Sequence, residues 1–175
     1  MAIDATFKGQ NSNSYVTKAE ATAYIQDSLY DGPTWEAKED YQEWALLQAA
    51  RIMDLTILWK GDKVDENQAM QWPRYRVPAT HDYESGRVGV LDWEELPTFI
   101  KVAQIEIALA LVKSNLMASS DSANLQSVSV GEISLTFKSQ SVVSTLVPQF
   151  VRDLISPYVR SFPGQNSGVV KLERA

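Results

Sequence analysis

Thr98-Phe99-Ile100-Lys101-Val102-Ala103-Gln104-Ile105-Glu106-Ile107-Ala108-Leu109-Ala110-Leu111-Val112-Lys113-Ser114-Asn115-Leu116-Met117 is the stretch on which the fold turns. Phe99, Ile100, Val102, Ala103, Ile105, Ile107, Ala108, Leu109, Leu111 and Val112 leave this helix apolar almost all round, which predicts a central helix buried on most sides. Pro97 is placed to open it, and Ser119-Ser120-Asp121-Ser122 to break it. The longest apolar run, Ile105 to Val112, is interrupted by Glu106 and is far too short to cross a bilayer. Everything else in the chain is expected to pack around this pillar.

On the N-terminal side, Thr17-Lys18-Ala19-Glu20 reads as a capping box: Thr17 caps and Glu20 reaches back. Ala19, Ala23, Tyr24 and Ser28 follow at helical spacing, and Asp31-Gly32-Pro33 predicts a stop. A second helix is expected from Glu36–Asp40, where acids suit the positive end of the dipole, to about Leu58. Its apolar stripe is Tyr41, Trp44, Ala45, Gln48, Ile52, Leu55 and Trp59, and Gly61 is the expected C-terminal cap. Asp65 to Gln71 reads as a short helix stopped by Pro73, followed by a long loop to Pro97.

On the C-terminal side, Ser127-Val128-Ser129-Val130-Gly131-Glu132-Ile133-Ser134-Leu135-Thr136-Phe137 alternates on both sides of Gly131-Glu132. That predicts a hairpin with a two-residue type II′ turn, Val130 opposite Ile133 and Val128 opposite Leu135. A lone hairpin is marginal in water, so it must lie on the helices or join a neighbouring subunit. A fourth helix is expected from Val142 or Ser144 to Ser156, with Pro148 as its alternative start and Pro157 as its stop. The expectation is a mainly α fold: a four-helix domain over 1–157 with a hairpin at 125–138, a long loop, and an extended C-terminal tail over 158–175.

The 175 residues carry 16 Lys and Arg against 22 Asp and Glu, a net charge of −6. Nine of the bases and fourteen of the acids fall in residues 1–90. A chain this acidic is a poor general clamp for nucleic acid, whose non-specific affinity comes from neutralised phosphates. There is no cysteine and one histidine, His81, which excludes disulfides, thiolate chemistry and His-rich metal sites. Phosphate-loop, dinucleotide, nucleophile-elbow and metalloprotease motifs are all missing, and Gly86-Arg87-Val88-Gly89 reads as a plain turn. Asp82, Glu84, Asp92, Glu94 and Glu95 around His81 lack the spacing of a calcium loop. No catalytic constellation, metal or cofactor is expected. Trp72-Pro73-Arg74-Tyr75-Arg76 interleaves aromatic and basic residues as a single-strand surface does; the other reading has Trp72 packed over the central helix.

Several short motifs resemble, in order, a family of tailed-phage neck proteins, the head–tail connectors, also labelled DnaT-like single-stranded-DNA-binding proteins. They are Asn13-Ser14-Tyr15-Val16-Thr17 with Glu20-Ala21 and Tyr24, Ala50-Arg51 with Asp54, Trp59-Lys60-Gly61, and Gln68 with Trp72-Pro73-Arg74. Leu96-Pro97 with Ile100-Lys101 and Ala103, Glu106-Ile107-Ala108-Leu109, Val130-Gly131-Glu132-Ile133-Ser134 and Leu154 before Pro157 complete the set. Glu132 stands where relatives often have proline, and the tail is longer than the common core.

The resemblance implies a structural virion protein at the head–tail junction, assembled in the host cytoplasm. It implies a twelve-fold ring of neighbouring copies bound to the portal protein and to a tail or stopper protein. Double-stranded DNA would pass through without specific binding, and no membrane is involved. Trp59, Gly61, Trp72 and Pro73 are then structural, and Arg74, Tyr75, Arg76, Val130 and Glu132 are candidate subunit or tail-side contacts. Tyr158, Arg160, Phe162, Val169, Val170, Lys171, Leu172 and Arg174 form the expected portal-docking arm, since apolar anchors on a segment of charge +2 suit folding on binding. An ordinary frayed terminus is the alternative for the arm. A single-stranded-DNA-binding module is the alternative for the whole chain.

Overall fold

The computed structural model describes residues 2–28, 30–79, 89–113, 127–130, 133–136 and 147–162, the hairpin strands by their backbone. Among them are five helices: α1 (Lys18–Gln26), α2 (Gly32–Glu36), α3 (Glu39–Thr56), α4 (Thr98–Lys113) and α5 (Gln149–Ile155). Three antiparallel pairs join them: β1 (Leu58–Trp59) with β6 (Val159–Ser161), β2 (Asp62–Lys63) with β3 (Arg74–Tyr75), and β4 (Ser127–Val130) with β5 (Ile133–Thr136). The fold is mainly helical with a hairpin, as the patterning predicts.

Helix α4 is the pillar, packed most extensively on α3 and then on α5. Ile100, Ala103, Ile107 and Ala108 are completely buried, and so is Gln104. A buried amide is tolerable only when its hydrogen bonds are made. Gln104 accepts the Tyr15 N–H at 2.8 Å and donates to Ser14 Oγ at 2.7 Å and to the Leu46 carbonyl at 2.9 Å. One side chain thus pins the N-terminal segment and α3 to the pillar.

Both halves of the capping box form: Thr17 Oγ1 accepts the Glu20 N–H at 3.2 Å, and Glu20 accepts the Thr17 N–H at 2.9 Å. The buried face of α1 is Ala21 and Ile25, whereas Ala19, Ala23 and Tyr24 face outward. Polar ties set this roll, with Lys101 on Glu20 at 2.8 Å and Tyr24 donating to Glu106 at 3.2 Å. Gly32-Pro33 opens α2 rather than ending α1, because a proline near a helix start forfeits no intrahelical bond.

The face of α3 agrees with the expected stripe at Ala45 and Ile52, and Trp59 beyond the helix is buried too, but the rest differs. Gln42, Ala45, Leu46, Ala49, Ala50 and Met53 are buried, whereas Tyr41, Trp44 and Leu55 are 54%, 63% and 84% exposed. Both stripes have helical spacing; the alanine-rich one lets the α3 backbone approach α4 closely. Helix α3 ends at Thr56, and Gly61 sits in the turn between β1 and β2 at φ 72° rather than capping the helix. A Cβ there would collide with the Tyr75 carbonyl oxygen, so the turn requires glycine.

Residues 65–71 form turns, not a helix, because their amides are engaged elsewhere. Asn67 N–H donates to Asp65 Oδ1 at 2.8 Å, Ala69 N–H to the Gly9 carbonyl at 3.1 Å, and Gln71 N–H to Tyr15 and Asp54. The expected 73–97 loop contains β3, buried Val77 and a bridge from Pro78 to Val90. Its residues 80–88, with His81 and Gly86 to Val88, lie outside the described residues.

The hairpin has the predicted register, Val128 opposite Leu135 and Val130 opposite Ile133; Gly131 and Glu132 lie outside the described residues. Pro148 is the N-cap of α5, the last of the starts read from the sequence. Pro157 does not release the chain from the core. A 3₁₀ turn (Ser156–Tyr158) leads into β6, which pairs with β1, and Tyr158 and Val159 are buried. The folded body therefore continues past the expected boundary at Pro157, because Tyr158 and Val159 are part of the core. Residues 163–175, with Val169, Val170, Lys171, Leu172 and Arg174, lie outside the described residues.

Candidate nucleic-acid interface

The aromatic–basic cluster read from the sequence divides between core and surface. Trp72, 2% exposed, meets Trp59 edge to face at 5.4 Å and Phe99 at 5.6 Å. Phe99 in turn stacks on Tyr158 at 4.0 Å. Trp72 is therefore a packing anchor, as one of its two readings held, and Pro73 beside it is fully buried. Arg74 is spent on the backbone: it donates to the carbonyls of Lys60 at 2.9 Å, Gly61 at 2.6 Å and Gln71 at 3.2 Å. Burial lowers its pKa, and Asp62 works against that. Tyr75 is half-buried and Arg76 reaches into solvent.

Tyr75 does not stand alone. Its ring lies 5.0 Å from that of Trp93, and the Lys8 ammonium sits 4.5 Å from the Trp93 ring and 5.0 Å from the Phe7 ring. Phe7 is 42% exposed and Trp93 36%. Tyr75, Trp93, Lys8 and Phe7 thus form a run of contacts, with one ammonium between two rings and the Tyr75 ring tilted 60° to Trp93; the exposed Arg76 follows Tyr75 in the chain. An ammonium over ring faces is held by the ring quadrupole, which pre-positions this cation on the surface.

Local chemistry shapes the turn that carries Lys8. Asp4 Oδ1 accepts from the Thr6 N–H at 3.0 Å and its hydroxyl at 2.6 Å, and Gly9 N–H closes a turn on the Thr6 carbonyl at 3.0 Å. Those bonds to Thr6 hold the Asp4 carboxyl below its ordinary pKa. Lys8 takes a positive φ of 57° in that turn, and Arg76 a φ of 56° directly after β3. The row is flanked by acids: Asp62 lies 4.0 Å from Arg76, and Asp92, Glu94 and Glu95 surround Trp93 in sequence. Phe7 and Lys8 continue into a cleft of about 600 Å³ floored by Met70 and Trp72 and edged by Glu94 and Leu96. The arrangement offers flat ring faces and two cations, Lys8 and Arg76; it does not offer a wide basic groove.

A second surface has different chemistry. Tyr41 and Trp44 meet edge to face at 5.8 Å beside a groove of about 450 Å³ between α3 and α4, lined also by Ala45, Leu111 and Val112. Lys38, with its ammonium 5.9 Å from the Tyr41 ring, is the one charged residue among the described residues of that lining. This surface suits an apolar partner, not a phosphate backbone.

Over residues 1–175 the sequence matches the family described as "Putative DnaT-like ssDNA binding protein". The chain belongs to that family. No curated protein and no solved structure matches it.

In this DnaT-like chain the residues singled out from sequence are scattered. Trp59, Trp72 and Pro73 are core and Gly61 is a turn, all structural. Tyr158 is also core, so it is not free to anchor an arm. Arg160 is exposed, and Phe162 lies under the Arg152 guanidinium at 5.2 Å. Val130 is placed by its backbone in β4. Tyr75 joins the row and Arg76 is exposed next to it in the chain, but Phe7, Lys8 and Trp93 escaped the sequence reading. Phe7-Lys8 was the available signal, an aromatic–basic pair beside a turn.

Proposed function

We propose that this chain binds single-stranded DNA along the Phe7–Lys8–Trp93–Tyr75 row, with Arg76 taking a phosphate at its end. The observation that carries the reading is the Lys8 ammonium held against two exposed aromatic rings with a third ring continuing the row. Bases stack on such rings without regard to sequence, at about 1–3 kcal/mol per base. The family description supports the same ligand. With two cations in the row, the logarithm of the affinity should fall with the logarithm of salt at a slope of about −1.4. A steep electrostatic slope would be foreign to so acidic a surface. Titration of a labelled oligothymidylate across a salt series tests the reading, with the matching duplex as control. Stacking-driven binding of the single strand with a shallow slope is expected; no single-strand binding at moderate salt would refute it.

A second reading is the ring-forming neck adaptor: neighbouring copies in a twelve-fold ring, a portal protein on one side, a tail or stopper protein on the other, and duplex DNA passing through the lumen. The exposed Tyr41 and Trp44 of α3 favour it, because an apolar face of that kind marks a protein contact. The net charge of −6 favours it as well, since such a surface repels a sliding duplex. Specific capture by a portal ring, without oligonucleotide binding, would select this reading over the first.

A further inference from the structure

We infer that the phosphates of a bound single strand continue past Tyr75 onto a second cationic patch, formed by Arg160 of β6 and Lys60 of the β1–β2 turn. The inference rests on the DNA-binding reading and extends it from a stacking row to a site with a backbone track. Lys60 and Arg160 lie far apart in the chain, and the β1–β6 pair brings them together. Trp59 sits opposite Val159 and Leu58 opposite Ser161, and the Lys60 N–H donates to the Tyr158 carbonyl at 2.9 Å. Trp59 and Val159 are buried, so alternation along each strand turns Lys60 and Arg160 to the outer face, beside the exposed Leu58.

Two features suit this patch to an anion. Its cations lack counter-charges: among the described residues no carboxylate lies within ion-pair distance of Lys60 or Arg160. The Lys60 ammonium rests instead on the Pro157 carbonyl at 2.8 Å. The bases also crowd one another. Arg74 is bonded to the Lys60 and Gly61 carbonyls, and its pKa is lowered first by burial and further by the charge of Arg160. Like charges held side by side repel, and a phosphate among them turns that repulsion into charge-assisted hydrogen bonds.

The patch adjoins the ring row. Gly61 joins Lys60 to Asp62, the register partner of Tyr75, and a Cβ on Gly61 would stand 2.0 Å from the Tyr75 carbonyl oxygen. Residues 58–62, 74–76 and 158–161 together hold four bases and one acid, Asp62, which lies 4.0 Å from Arg76. A strand stacked on Tyr75 crosses only a bare glycine turn to reach Lys60 and Arg160.

The test is a salt series on the full chain with oligothymidylates of roughly four and roughly twelve nucleotides. The short strand meets the two cations of the row and should give a slope of about −1.4, whereas the long strand meets four and should give about −2.8. This comparison needs no variant. Lys60→Gln combined with Arg160→Gln should return the long strand to about −1.4, leave short-strand binding unchanged, and melt like wild type. Equal slopes for the two strands in wild type overturn the inference while the ring row stands, and so does a double variant that keeps the long-strand slope. If wild type binds neither strand, the DNA reading fails and this inference falls with it.

Discussion

The Tyr15 hydroxyl donates to the Asp54 carboxylate while accepting the backbone N–H groups of Gln71 at 3.1 Å and Trp72 at 3.3 Å. Asp54 Oδ2 takes the Gln71 N–H as well, at 3.2 Å. This one knot fastens the N-terminal segment, α3 and the 65–72 turns to each other, directly behind the aromatic core that carries β3 and Tyr75. It also places a carboxylate where water is scarce.

That placement predicts a pH dependence of stability. Burial pushes the Asp54 carboxyl up to about 6, against the hydrogen bonds from Tyr15 and Gln71 and the nearby charges of Lys63 and Arg74. The folded chain therefore holds the proton to higher pH than the unfolded chain. Below the ordinary carboxyl value the residue is neutral to stability. From about pH 4 to about pH 6 its contribution falls as pH rises, by about 3 kcal/mol in all. Asp54→Asn should lack this slope, so denaturant titrations of variant and wild type should diverge between pH 4 and pH 7. Parallel curves would show that Asp54 keeps its ordinary pKa in the fold.

Trp72→Ala should cost about 3–5 kcal/mol, the range for deleting a large buried aromatic side chain. Trp72 is the member shared by the Trp59 and Phe99 contacts, so its loss leaves both rings with an empty side. Thermal melting is the check. A variant that melts like wild type would return Trp72 to the surface role that the sequence also allowed.

Gly61→Ala should destabilise by about 1–3 kcal/mol, since it combines a positive φ with a backbone collision. The collision is with the Tyr75 carbonyl, so the same change should also weaken oligonucleotide binding by displacing the end of the ring row. Equal binding and melting in the variant would show that the turn relaxes freely.

Ending the chain at Pro157 should lower stability by about 3 kcal/mol or more, because Tyr158 and Val159 leave the core and β1 loses its partner. A chain ended at Phe162 keeps those contacts. If the Pro157 truncation melts like wild type, β6 contributes nothing to the core.

The sequence was legible where a local rule had no competitor. Thr17 with Glu20 made a cap, the helix apolar almost all round made α4, alternation about Gly131-Glu132 fixed the hairpin register, and Pro148 marked α5. It failed where two patterns shared one period. Tyr41-Trp44-Leu55 and Leu46-Ala49-Met53 both run at helical spacing on α3, and the second is the one buried where α3 packs on α4. Distance in the chain hid the rest. Trp93 lies some eighty residues from Lys8, and nothing local to either predicts that ring and ammonium meet. Trp72-Pro73-Arg74 drew attention because its residue types suit a surface, yet the Lys60 and Gly61 carbonyls and the Trp59 ring claim them for the interior.

The central claim is tested most directly by oligothymidylate affinity of Trp93→Ala, measured by anisotropy beside its melting curve. Trp93 is partly exposed and touches both Tyr75 and Lys8, so its loss should leave the fold nearly as stable as wild type. The account predicts affinity reduced by about 1–3 kcal/mol, the worth of one stacking platform, or roughly five- to 150-fold. Unchanged affinity in a folded Trp93→Ala variant would contradict it.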